Sequence, residues 1–131
     1  MNEKYEGEFL KGKKQGFGKL TIQNNFIYEG EFVNDKMQGI GKKTWINNHR
    51  IYTGEFHNNE PHGKGILTFF NGDVYEGEFK NGEPDGIGTF KFRHLIYEGT
   101  FSSGTFQGKG ILIDNLTKIK ENVIFNEGKI L

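Results

Sequence analysis

The 131-residue sequence contains no cysteine and no alanine, only two prolines, one tryptophan and two arginines, Arg50 and Arg93. Without cysteine, a disulfide framework and thiolate-ligated zinc or iron–sulfur centres are excluded. Alanine is the best helix former, and the 20 glycines each cost about 1 kcal/mol inside a helix, so a helical fold is excluded in practice. Seventeen basic residues cancel seventeen acidic ones, which leaves no basic stripe for nucleic acid. No apolar run approaches the roughly 20 residues of a membrane-spanning helix, and Met1-Asn2-Glu3-Lys4 does not open a secretion signal. The expected setting is intracellular, cytoplasmic or cytoskeleton-associated, with the sequon Asn115-Leu116-Thr117 a chance occurrence.

What the chain does hold is 13 phenylalanines, five tyrosines and the glycines, and they recur in order. Tyr-x-Gly-x-Phe occurs at 5–9, 28–32, 52–56, 75–79 and 97–101, with steps of 23, 24, 23 and 22 residues between tyrosines. Seven residues after each Phe comes Gly-x-Gly, at Gly16/Gly18, Gly39/Gly41, Gly63/Gly65, Gly86/Gly88 and Gly108/Gly110. Such a period is the mark of a repeat architecture. The units run over about 5–27, 28–51, 52–74, 75–96 and 97–120, and a partial sixth over 121–131. In that sixth unit Glu121 and Val123 stand in the Tyr and Gly positions. One repeat array over residues 1–131 is the expected domain organisation, with no further domain.

Each unit reads as a β-hairpin. With a period of two, Tyr75, Gly77 and Phe79 share one face and Glu76 and Glu78 the other. Residues 80–85 read as a turn, and Gly86, Gly88, Phe90 and Phe92 fall on the ring side of a second strand. Phe70-Asn71-Gly72-Asp73 reads as the tight turn to the next unit. Stacked side by side, such hairpins give an all-β antiparallel meander of about eleven strands. With this pattern, Tyr-Glu-Gly-Glu-Phe, the turn, Gly-Lys-Gly-Ile-Leu-Thr-Phe at 63–69 and Asn71-Gly72-Asp73, the chain resembles the MORN repeat, closely over about 3–114 and weakly over 115–131. The resemblance implies an elongated, single-layered sheet twisted into a groove. It also implies scaffolding or docking work, in settings that include the cytoskeleton and cilia.

Interior glycines cost stability and pack nothing, so their presence implies that rings lie over them and cover the bare backbone. Tyr28, Phe32, Trp45, Tyr52, Phe56, Phe69, Tyr75, Phe79, Phe90, Phe92, Tyr97 and Phe101 are then expected to form two aromatic rows with a glycine floor between them, a groove for an extended or helical segment of a partner protein. On the opposite face Glu6, Glu8, Glu29, Glu31, Glu55, Glu76, Glu78 and Glu98 form an acidic ladder, expected to be solvated and paired with Lys19, Lys42, Lys64 and Lys109. The paired carboxylates recur without a cleft or a third ligand, which argues against a glycosidase or a metal site. His57 and His62 flank one turn as surface residues. The Gly-x-Gly pairs lack the Gly-Lys-Ser/Thr and helix of a phosphate loop. No catalytic residue, cofactor or metal is expected. Membrane or phosphoinositide docking is the alternative reading, and only the tip carrying Lys11, Lys13 and Lys14 is basic enough to support it. The aliphatic stretch 111–125 and the mid-unit ending Gly128-Lys129-Ile130-Leu131 lead us to expect an open edge for self-association or strand pairing, the alternative being a longer chain.

Overall fold

The computed structural model describes residues 2–131. The described residues form twelve strands and no helix: β1 (Glu3–Leu10), β2 (Lys13–Ile22), β3 (Phe26–Val33), β4 (Lys36–Trp45), β5 (Ile51–His57), β6 (Glu60–Thr68), β7 (Val74–Lys80), β8 (Glu83–Phe92), β9 (Leu95–Ser102), β10 (Thr105–Asp114), β11 (Lys120–Asn126) and β12 (Lys129–Ile130). They lie in one open sheet in sequence order, each antiparallel to the next. The expected count of about eleven rises by one because the damaged sixth unit still forms a hairpin, with Phe125 opposite Ile130.

The hairpin tips are tighter than the sequence suggests. Each consists of two residues with positive φ, between 47° and 86°: Lys11-Gly12, Asn34-Asp35, Asn58-Asn59, Asn81-Gly82, Ser103-Gly104 and Glu127-Gly128. Two successive residues at φ > 0 make the turn whose twist matches that of the flanking strands. The turn expected over 80–85 is thus confined to Asn81-Gly82, and Pro84 lies within β8 opposite Phe79. A proline is tolerated there because of what its neighbour offers. At the same position of earlier hairpins, the N–H groups of Lys14 and Met37 donate to the side chains of Asp35 and Asn59 on the next tip. Pro61 and Pro84 have no N–H, and the next tips place Gly82 and Gly104 there, which carry no acceptor. The carbonyl of the same residue accepts a backbone N–H from the next tip in every case, at 2.9–3.0 Å. The tips therefore lock to one another along one long edge of the sheet.

Within each complete hairpin the register slips beside the first glycine of Gly-x-Gly. In the fourth unit Gly77 pairs with Gly88 and Phe79 with Pro84, so three residues, Asp85-Gly86-Ile87, face Glu78 alone. The Glu78 carboxylate fills the bulge, accepting the Ile87 N–H at 2.6 Å. Glu8, Glu31 and Glu55 do the same for Phe17, Ile40 and Lys64. Gly86 has a φ of 103°, which favours glycine, and a Cβ on it would stand 2.4 Å from that carboxylate and displace it from the bulge. The acidic ladder is solvent-exposed as expected, but it also has a structural role. Half of the acidic row holds the bulges closed, and of the expected cross-strand ion pairs the described residues show Lys19–Glu29, at 3.9 Å.

The core is a single chain of rings. Each Tyr hydroxyl donates to the carbonyl of the residue three positions on (Glu8, Glu31, Glu55, Glu78 or Thr100) at 2.7–3.2 Å. Its ring covers the second glycine of Gly-x-Gly, where a Cβ would lie 2.3–2.6 Å from ring atoms. Each Tyr also meets two phenylalanines edge-on, its own and that of the next unit: Tyr52 lies 5.1 Å from Phe56 and 4.8 Å from Phe79. Edge-to-face pairs add about 0.5–1.5 kcal/mol each beyond burial. Because every interior Tyr makes two such pairs, repeats are welded to their neighbours with no second layer covering the sheet.

Candidate functional site

The structure divides the twelve rings expected to bind a partner into two groups. Tyr28, Phe32, Tyr52, Phe56, Tyr75, Phe79, Tyr97 and Phe101 are 0–6% exposed and make up the inter-repeat chain of rings. The glycine floor expected between two rows lies beneath the tyrosines instead. Trp45, Phe69, Phe90 and Phe92 are half-buried and form an outer row on the side of the tyrosines away from the tips.

The outer row is built by register. Across the strands, Tyr28 faces Leu20 and Lys43, Tyr75 faces Leu67 and Phe90, and Tyr97 faces Phe90 and Leu112. Two residues further along, Ile22, Phe26, Trp45 and Phe92 continue the same face. Phe90 and Phe92 stack at 5.1 Å, and Phe69 stands edge-on to Phe90 at 6.1 Å. Phe106 reaches across from β10 to within 5.9 Å of Phe90 and 4.6 Å of Tyr97. Together Phe69, Phe90, Phe101 and Phe106, with Pro84 and Tyr75, line an open apolar depression of about 310 Å³.

Phe106 is missing from the expected rows because the turn read over 80–85 corresponds in the fifth unit to 102–107, which includes it. With only Ser103-Gly104 turning, Phe106 is already in β10, opposite Phe101 and on the face of Gly108. The signal was parity: two residues before the first glycine of Gly-x-Gly. Lys14, Met37, Pro61 and Pro84 occupy the equivalent positions, so the fifth unit alone among the complete repeats puts a ring there.

Two cations share the ring face. Lys43 Nζ lies 4.2 Å from the ring centre of Phe26 and 5.0 Å from that of Trp45. The Arg50 guanidinium lies 4.9 Å from the ring centre of Phe69. Burial lowers the Lys43 pKa against a weaker opposing pull from Glu60. Burial likewise pushes the Tyr28 and Tyr52 hydroxyls well above their ordinary value, and that of Tyr75 up to about 12. His57 and His62 stand 5.6 Å apart between ring centres, and Gln38 contacts His57 Nδ1 at 3.0 Å. Among the described residues no group of three metal-ligating side chains is assembled. The face offers apolar ring surface, a depression and two cations, which is the chemistry of holding another molecule.

A family model described as MORN repeat matches the chain five times, at residues 5–25, 28–50, 52–74, 75–93 and 97–115, together well over half its length. No curated protein matches the chain.

Proposed function

We propose that this chain, which belongs to the MORN-repeat family, works without catalysis as a scaffold that holds an extended or helical segment of a partner protein on its ring face, inside the cell and within a cytoskeletal or ciliary assembly. Arrays of this family are repeat modules that bind proteins or membranes. The observation that carries the protein reading is the apolar depression bounded by Phe69, Phe90 and Phe106. These rings lie outside the Tyr–Phe chain, and a sheet with no second layer leaves them facing solvent. The part of their surface left exposed gains the hydrophobic free energy of burial, about 25 cal/mol per Å², when a partner covers it.

Membrane or phosphoinositide docking is supported by the basic tip alone. Recognition of an anionic surface takes about four to eight clustered cations. That tip has Lys11, Lys13 and Lys14, and Lys14 already lies 3.8 Å from Glu3.

Proximity labelling in cells that express the protein tests the proposal, comparing the native chain with a Phe69→Ala, Phe90→Ala variant that spares the Tyr–Phe chain. The expected outcome is a set of labelled protein neighbours lost in the variant while its sheet spectrum is unchanged. An identical set would remove the ring face from the function. Tight co-sedimentation with anionic vesicles, abolished by replacing Lys11, Lys13 and Lys14 with Ala, would favour the membrane reading instead.

A further inference from the structure

We infer that the partner segment carries an acidic side chain that seats on Lys43 and Arg50 and, about six extended residues away, a large apolar side chain that enters the depression at Phe90. The inference rests on the protein-binding reading and supplies the chemistry of the partner.

Lys43 occupies the position held by Leu20, Leu67, Phe90 and Leu112 in the other repeats. An apolar side chain serves the sheet there, and within this chain the Lys43 charge gains only its contact with the rings of Phe26 and Trp45. Lys43 is partly buried, and desolvating an ammonium is costly unless it is paired. Among the described residues neither Lys43 nor Arg50 has a carboxylate within ion-pair distance, the ion pairs being Lys4–Glu6, Lys14–Glu3, Lys19–Glu29 and His94–Asp114, and Glu60 attracts Lys43 only from beyond that distance. The rings of Phe26, Trp45 and Phe69 attract the two cations but carry no countercharge.

Apart from Asp73, the other charges on this face lie towards the two ends of the array. Glu3 and Lys14 are paired at the first repeat, and Asp114 and Glu121 border a separate small depression at the last. Between them, among the described residues, the ring face carries Lys43, Arg50 and Asp73, which lines a shallow depression with Arg50, Phe69 and Phe90 without pairing to it. An acidic group on the partner is repelled by Asp73 and by the acids at the two ends and is drawn to the side where Lys43 and Arg50 lie, and that place sets the direction of the segment.

Spacing follows from the sheet. Lys43 is on β4 and the depression centres on Phe90 of β8, four strands on. At about 4.8 Å per strand this is roughly 19 Å, the length of about six residues of extended chain. Two cations fall short of the cluster that an anionic membrane surface demands, so the pair suits one carboxylate on a protein segment better than a sheet of headgroups.

The test is selection from a displayed library of random twelve-residue peptides on three immobilised proteins: the native chain, Lys43→Leu/Arg50→Gln and Lys43→Glu/Arg50→Glu. The Leu variant repeats what the sister positions already hold, so it is expected to fold. The native chain should enrich peptides with Asp or Glu about five to seven positions from a Phe, Leu or Trp. That acidic preference should vanish on the first variant and turn to Lys or Arg on the second. Replacing the acid of the best peptide by its amide should weaken binding at least about tenfold on the native chain and leave it unchanged on Lys43→Leu/Arg50→Gln. Enrichment of apolar peptides with no acidic position would overturn the inference and leave the protein-binding reading standing. If no peptide were enriched, both would fall. Binding of phosphatidylserine vesicles lost in both variants would then assign the two cations to a lipid surface.

Discussion

Two rows of side chains run side by side along one face of the sheet and differ in how they change from repeat to repeat. The inner row is the same in every complete unit: Tyr, then Phe, with glycine beneath. The outer row is Leu20 with Ile22, then Lys43 with Trp45, Leu67 with Phe69, Phe90 with Phe92, and Leu112 with Asp114. Each inner Tyr must satisfy three demands at once, covering a glycine, donating to a carbonyl and meeting two phenylalanines, and no other side chain meets all three. The outer row answers only to partial burial, which many side chains satisfy. Uniformity therefore marks the residues that build the sheet, and variation marks those free to recognise something.

The strongest way to break this comparison is to put a side chain where the inner row has none. Gly77 lies against Gly88, and a Cβ on it would stand 2.5 Å from the Gly88 Cα, which is backbone and cannot turn aside. Gly77→Val should cost about 4 kcal/mol or more, the far tail of single substitutions. Chemical denaturation checks it, and an unchanged midpoint would refute the close backbone approach of Gly77 to Gly88 as the reason for glycine here.

A smaller effect comes from one motif position in two surroundings. Phe56 is 3% exposed between Tyr28 and Tyr52, at 4.9 and 5.1 Å. Phe9 meets Tyr5 alone and is 61% exposed. Phe56→Ala should cost about 3–5 kcal/mol and Phe9→Ala less than about 1 kcal/mol. Equal losses in thermal unfolding would mean that neighbouring repeats are not what stabilises the ring.

The smallest effect at neutral pH concerns the buried hydroxyls. Tyr75 ionises at about 12 in the fold and at 10.0 without it. Its folded pKa is raised, so its contribution to stability is complete below about pH 10 and is lost as the pH climbs through about 12. Tyr28 and Tyr52 are shifted in the same direction. Tyrosinate absorbance and far-ultraviolet circular dichroism, followed together in an alkaline titration, should show ionisation of these tyrosines coinciding with loss of the sheet. Ionisation at the ordinary tyrosine value with the sheet intact would place the hydroxyls in water.

Most of the architecture was legible because period two and period 23 are both written in residue types. Gly in Gly-x-Gly and Tyr in Tyr-x-Gly-x-Phe each state which face they occupy, and the Asn-rich punctuation states where hairpins close. What was not legible came from the bulge. A slip of two residues beside Glu78 cannot be seen in a one-dimensional alternation, since Asp85, Gly86 and Ile87 still alternate normally. That slip shortened the tip, moved Pro84 and Phe106 into strands, and turned half of the acidic row into bulge closures. Lys43 was legible by parity, at an even spacing from Gly39 and Gly41, yet its charge hid its place among the rings.

The sequence by itself determined that this chain is a stack of hairpins, because a ring or no side chain at alternate positions fits no helix and only one kind of sheet. The tertiary structure alone decided which rings are consumed by that stack. Exposure depends on the neighbouring repeat: Phe9 and Phe56 hold the same motif position, and only the presence of a tyrosine from the repeat before buries one of them.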